Sequence, residues 1–158
     1  GYYAPPATGG LYFHPLPSPI RLLETRSGEP GCFTTNAPLT GGTDTTQQGT
    51  ATCSGVTIPA AAKALVGNAT TVAPVAGGFL TLYPADVTRP ITANGNYSQN
   101  QILNSPFTVG LSSAGQFKIY TSATTHLVVD VLGYFSPDAD DVNGTGLLFN
   151  SITPVRLL

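Results

Sequence analysis

Thr124-Thr125-His126-Leu127-Val128-Val129-Asp130-Val131-Leu132-Gly133-Tyr134-Phe135 is the stretch on which the fold turns. Val, Leu and aromatic residues favour a pleated strand, and a run this apolar on both faces does not suit an exposed edge, so it predicts a central strand. Successive side chains on a strand point to opposite faces. The odd face (Leu127, Val129, Val131, Phe135) is uniformly apolar, whereas the even face mixes His126, Asp130 and Tyr134 with Val128 and Leu132. Asp130 is therefore expected to be partly buried.

Further strand-like runs lie upstream, at 55–58, 64–72, 78–83, 102–111 and 116–121, each rich in Val, Thr, Ile, Phe or Tyr and bounded by Gly, Pro or Asn. Ala76-Gly77-Gly78 and Ser112-Ser113-Ala114-Gly115 have the composition of short turns, which predicts two hairpins. No window sustains helical spacing, and the best helical candidate, Ala60 to Leu65, is one or two turns at most. The chain therefore reads as all-β, an antiparallel sandwich or open barrel with minimal helix.

Composition narrows the function. Charged residues are 9% of 158, against roughly 25% in an average soluble protein, and 22 Thr and 10 Ser supply most of the polar surface. Six Lys and Arg with no basic cluster give no footprint for nucleic acid. No apolar run approaches the roughly 20 residues of a membrane span. The first residues carry no basic start followed by an apolar core, so an export signal is expected to have been removed or to lie outside this stretch. Cys32 and Cys53 flank a loop-like segment and are expected to form a disulfide in an oxidising compartment. Three glycosylation sequons occur, at Asn68, Asn96 and Asn143, the last best placed because it stands in a polar linker.

The two ends of the chain resemble each other. Gly1-Tyr2-Tyr3-Ala4-Pro5 matches Gly133-Tyr134-Phe135-Ser136-Pro137, Leu11-Tyr12-Phe13-His14 matches Leu147-Leu148-Phe149-Asn150, and Pro19-Ile20-Arg21-Leu22-Leu23 matches Pro154-Val155-Arg156-Leu157-Leu158. The matches keep their order at offsets of 132, 136 and 135, which reads as a window on a tandem array with a period of about 135 residues. Residues 1–10 would then be the tail of a preceding unit and a linker, 11–135 one complete β-domain, 136–146 a second linker, and 147–158 the start of the next unit or an exchanged strand.

Arg21-Leu22-Leu23-Glu24-Thr25-Arg26, Gly78-Phe79-Leu80-Thr81-Leu82-Tyr83-Pro84 and His126 through Phe135 together resemble a repeated β-domain of secreted, surface-attached proteins in bacteria such as actinobacteria and Chloroflexi. The resemblance covers nearly the whole unit. It implies an extracellular or cell-surface location, tandem organisation and a β fold, and no established activity. The loop from Cys32 to Cys53 is not part of the shared pattern.

A buried carboxylate needs a cationic or hydrogen-bonding partner, so Arg21 or Arg26 is expected to pair with Asp130 and join the first and last elements of the unit. A catalytic Asp130–His126 pair is disfavoured, since residues four apart on a strand stand roughly 13 Å from each other. No Gly-x-Ser-x-Gly elbow, phosphate loop or zinc-binding helix motif occurs, and no carboxylate pair stands out for glycosidase work. The chain reads as a non-enzyme with no catalytic residue, metal or cofactor. Asp138 to Asp141 could offer oxygens to calcium but lack the spacing of a calcium loop, and a solvated linker is the plainer reading.

The aromatics Tyr2, Tyr3, Tyr12, Phe13, Tyr134 and Phe135 gather at the unit boundaries, as core packing or as contacts between units. An apolar strand without partners needs a cover, so Leu147, Leu148, Phe149, Val155, Leu157 and Leu158 are expected to pack on a neighbouring unit or copy. The leading expectation is a structural subunit of an extracellular filament, sheath or stalk whose partners are copies of itself, joined head to tail. The alternative is a carbohydrate- or surface-binding adhesion module using Tyr83, Tyr97 or Tyr120 as stacking platforms for glycans. An accessory domain of a larger cell-wall hydrolase is a third reading.

Overall fold

The computed structural model describes residues 10–147, and among these the chain forms thirteen strands and no helix. The run that decides the fold is strand β11 (His126–Ser136), which lies between β1 (Tyr12–Glu24) and β6 (Ala64–Val72). With β2 (Phe33–Thr34) beside β1 and β9 (Leu103–Gly110) beside β6, these make a five-stranded sheet in the order β2-β1-β11-β6-β9. A four-stranded sheet runs β3 (Thr43–Gln48), β10 (Gln116–Thr121), β7 (Gly78–Pro84), β8 (Gly95–Tyr97). Every pairing in both sheets is antiparallel except the short β1–β2 contact. Two small hairpins complete the chain, β4 (Ala51–Cys53) with β5 (Val56–Ile58), and β12 (Asp140–Asp141) with β13 (Gly144–Thr145).

The two sheets close on one core. Leu65, Ala69, Phe107, Val109, Leu127, Val129 and Val131 from the five-stranded sheet share a single cluster with Leu80, Leu82, Phe117 and Ile119 from the four-stranded sheet. Strict alternation delivers them: Leu65, Gly67, Ala69 and Thr71 of β6 are buried and the residues between them are not. Burying each large aliphatic or aromatic side chain of this set contributes roughly 1.5–3 kcal/mol. The result is an all-β sandwich with no closed barrel.

Three local expectations are corrected. Neither predicted hairpin forms, because β6 is already flanked by β11 and β9, and β10 by β3 and β7. The segments 73–77 and 111–115 instead carry the chain from one sheet to the other, tied by Val75 N–H to Thr124 O at 3.0 Å and Ser112 N–H to Gln116 O at 2.8 Å. Residues 60–65 form no helix. Ala62 N–H closes one turn on Pro59 O, and Lys63 N–H then bonds Phe135 O. One turn is too short to sustain a helix against an available sheet partner. Finally, a bulge between Val131 and Gly133 reverses the alternation of β11. Tyr134, assigned to the mixed face, is fully buried, while Leu132 is 39% exposed and Phe135 is only partly covered.

Candidate functional site

Arg21-Leu22-Leu23-Glu24-Thr25-Arg26 is a clasp between β1 and β11. Leu22 and Leu23 enter the core, and Arg21 stands opposite Asp130 in the β1–β11 register. Arg21 Nε donates to Asp130 Oδ1 at 3.0 Å, with both side chains about a third exposed (36% and 32%). Arg26 does not reach Asp130. It grips Glu24 instead, Nε to Oε1 at 3.0 Å and Nη2 to Oε2 at 2.8 Å, with its backbone N–H on Oε1 at 2.9 Å. Arg21 Nη1 adds a bond to the same carboxylate at 3.3 Å. Glu24, which sequence reasoning left without a role, is therefore the fully buried acid of the domain.

The hydrogen bonds from Arg26, with the charge of both guanidiniums, hold the Glu24 carboxyl below its ordinary range, and the Asp130 bond raises Arg21. Thr25 Oγ1 accepts Leu127 N–H at 2.8 Å and lies 3.1 Å from His126 Nδ1. His126 and Asp130 thus face different partners. A shallow groove of about 160 Å³ beside the clasp is lined by both arginines, Thr70, Ile102 and Asp130.

The second assembly is the end of the sheet where β1 begins and β11 finishes. Phe13 lies opposite Phe135 and His14 opposite Tyr134, with ring centroids 5.4 and 5.1 Å apart and the second pair stacked. Residues 136–146, expected to be a free linker, fold back on this end. His14 Nε2–H donates to Asp138 O at 2.9 Å, and its Nδ1 stands 3.4 Å from Asp141 Oδ1. Tyr134 Oη donates to Asp141 Oδ2 at 2.5 Å and accepts Asn143 Nδ2–H at 2.8 Å. Burial, followed by the neighbouring Asp141 carboxylate, pushes the Tyr134 phenol up to about 12, against the opposing bond from Asn143.

Leu147, expected to pack on a neighbouring unit or copy, instead pairs with Phe13 of its own domain through two backbone bonds of 3.0 and 2.7 Å, because the fold-back of residues 136–146 delivers it to the β1 edge opposite β11. Tyr12 is half-buried at the start of β1. Tyr2, Tyr3, Leu148, Phe149, Val155, Leu157 and Leu158 lie outside the described residues.

The remaining candidates separate cleanly. Cys32 and Cys53 are disulfide-bonded with Cα atoms 5.6 Å apart, tying the chain entering β2 to the β4–β5 hairpin. Asn143, the favoured sequon, spends both amide hydrogens, on Tyr134 Oη and on Thr57 O at 2.8 Å. Asn68 is half-buried in the middle of β6, and Asn96 is exposed on β8. Of the three tyrosine platforms, Tyr83 and Tyr97 are buried (3% and 5% exposed) and Tyr120 lies under the Arg89 guanidinium, 3.6 Å from its ring centre. Burial and the nearby Asp44 push Tyr83 up to about 12.

Among the described residues no three His, Cys, Asp or Glu side chains gather as a metal site, and no helix is long and apolar enough to cross a membrane. No protein-family model, no curated protein and no solved structure matches the chain.

Proposed function

We propose that the chain is a structural subunit of an extracellular bacterial filament, sheath or stalk, built from β-domains joined head to tail. The observation that carries this reading is which motifs are duplicated. Gly1-Tyr2-Tyr3 repeats the end of β11, and Leu147-Leu148-Phe149 repeats the start of β1. Within the domain those two motifs are each other's partners, Phe13 opposite Phe135 and His14 opposite Tyr134. A second copy of each on the same chain has matching partners in the next copy of the domain. Leu147, the first residue of the repeated β1 motif, stands at the β1 edge of its own domain, so the second copy of the motif begins beside the sheet. A head-to-tail contact that does not close on itself generates a filament.

The disulfide and the hydroxyl-rich, charge-poor surface suit an oxidising exterior. No catalytic constellation enters this role, which rests on strand pairing and on the latch of residues 136–146. Negative-stain microscopy of native material tests it against the adhesion-module alternative. Linear polymers are expected, and dispersed particles that bind glycans would favour the alternative.

A further inference from the structure

We propose that Asn96 carries an N-linked glycan whose first sugar lies in the groove between Phe79 and the 89–93 loop, an inference that rests on the exported location of the protein. The three sequons are unequal. The Asn143 amide nitrogen has no free hydrogen, being committed to Tyr134 and Thr57. Asn68 sits half-buried in a strand paired on both sides, opposite Asp130 and Pro106. Asn96 is exposed on β8, the edge strand of the four-stranded sheet, and Ser98, the hydroxyl residue of its sequon, is exposed two residues on. Tyr97 between them is buried and donates its hydroxyl to Ala123 O at 3.2 Å. That bond holds Tyr97 inward, so Asn96 beside it on β8 faces out, and Ser98, just past the strand, is exposed as well.

A groove of about 310 Å³ opens beside this amide, lined by Phe79, Arg89, Pro90, Ile91, Ala93 and Asn96. Its size lies at the small end of ligand sites, where a single sugar ring fits. Phe79 stands directly opposite Asn96 in the β7–β8 register and is 36% exposed, while Ile91 projects fully into solvent. Two uncovered apolar side chains around an amide offer stacking surface for the C–H face of a sugar, and Arg89 offers donors for its hydroxyls. The wall is braced: Phe79 packs on Tyr120 at 5.5 Å, and Arg89 lies over Tyr120 and 3.8 Å from Asp44.

In the transfer itself, Asn96 Nδ2 attacks the anomeric carbon of a glycosyl diphosphate supplied with its transferase by the export pathway. The C–N bond forms as the C–O bond to the diphosphate breaks, the diphosphate leaves with the bonding pair, and the amide proton passes to a base of the transferase. A glycan here also shields the β8 edge from pairing sideways with another sheet, leaving the ends of the domain as the free joining surfaces.

Site-specific glycopeptide mass spectrometry on protein purified from its native source tests this. The peptide containing Asn96 should carry sugar and those containing Asn68 and Asn143 should not, and N96Q produced in the same host should lose the whole glycan mass with an unchanged fold. Phe79→Ala should leave the site occupied but abolish the sugar-to-aromatic contacts seen by NMR. Exported protein with a bare Asn96, or with sugar on Asn68 or Asn143 instead, overturns the proposal. Occupancy with no contact to Phe79 overturns the groove. Filaments with a bare Asn96 would defeat this inference alone, and glycosylated protein that never polymerises would defeat the assembly reading alone.

Discussion

Replacing Glu24 by Gln keeps the size of the side chain and removes the charge that two arginines converge on. The wild-type carboxylate accepts four bonds, three from Arg26 and one from Arg21. A glutamine amide offers one oxygen, which can retain the Arg26 backbone N–H, and turns an NH₂ toward guanidinium donors. At least two charge-assisted bonds are lost, each worth about 1.5–3 kcal/mol when intact. The arginine side chains are 36% and 34% exposed, so water recovers part of this. The net loss is expected at about 2–3 kcal/mol, or about 4–12 °C in Tm for a domain of this size.

The pH dependence identifies the cause. The folded-state pKa of Glu24 lies below its unfolded value, so its contribution is complete above about pH 4.3 and is lost as pH falls through the lower folded value. Urea denaturation followed by circular dichroism should show a gap between wild type and E24Q that is full at pH 7 and shrinks in acid. A gap below about 0.5 kcal/mol at pH 7, or one that stays constant with pH, would refute the assignment of Glu24 as the electrostatic centre of the clasp.

Replacing both Cys32 and Cys53 by Ser should cost about 3 kcal/mol by the loop-closure estimate, and reductant should lower the Tm of the wild type to match the double variant. Tyr83 and Tyr134 both have folded pKa values raised to about 12 from an ordinary 10. Folding favours their neutral forms, so the associated stability is present below pH 10 and disappears as pH rises toward 12, and tyrosinate absorbance should show two phenols ionising near pH 12. Tyr134→Phe removes the bonds to Asp141 and Asn143 and should cost about 1–2 kcal/mol, with hydrogen exchange accelerating in residues 138–146 before it does in β11. At Gly133 an added Cβ would meet the Phe13 ring at 2.6 Å and the His14 carbonyl at 2.7 Å, so Gly133→Ala should cost about 2 kcal/mol in thermal melts.

The central place of β11 was legible because an edge strand is rarely so apolar: Leu127, Val128, Val129 and Val131 are all buried, and among residues 127–132 only Asp130 and Leu132 leave one face partly open. The all-β class and the Cys32–Cys53 bridge followed from composition, turn residues and spacing. What local sequence does not carry is the choice of partner. Ala76-Gly77-Gly78 can turn a chain within a sheet or hand it across to another, and only the occupied edges of β6 and β10 decide between these. The bulge before Gly133 was invisible for the same reason, since alternation counted along one strand cannot register a residue inserted against its neighbour.

Glu24 stood in the charged Arg21–Arg26 motif with no role assigned to it. It is buried because Arg26 curls back over it, a geometry that begins only after β1 ends. Tyr83 and Tyr97 looked like exposed platforms because aromatic residues mark strands without stating which face is covered. Thr81, on Tyr83's face of β7, donates its hydroxyl to Thr92 O at 2.7 Å, so the chain after Pro84 passes over that face.

In the proposed head-to-tail assembly residues 147–158 serve as the first strand of a following copy, and cryo-electron microscopy of native assemblies that traces them is the deciding measurement. A continuous row of β-sandwiches is expected, in which the chain leaves the β1 edge after Leu147 and Val155, Leu157 and Leu158 enter the core of the next sandwich as Ile20, Leu22 and Leu23 do in this one. Particles of a single sandwich, with that segment packed on its own domain, would contradict it.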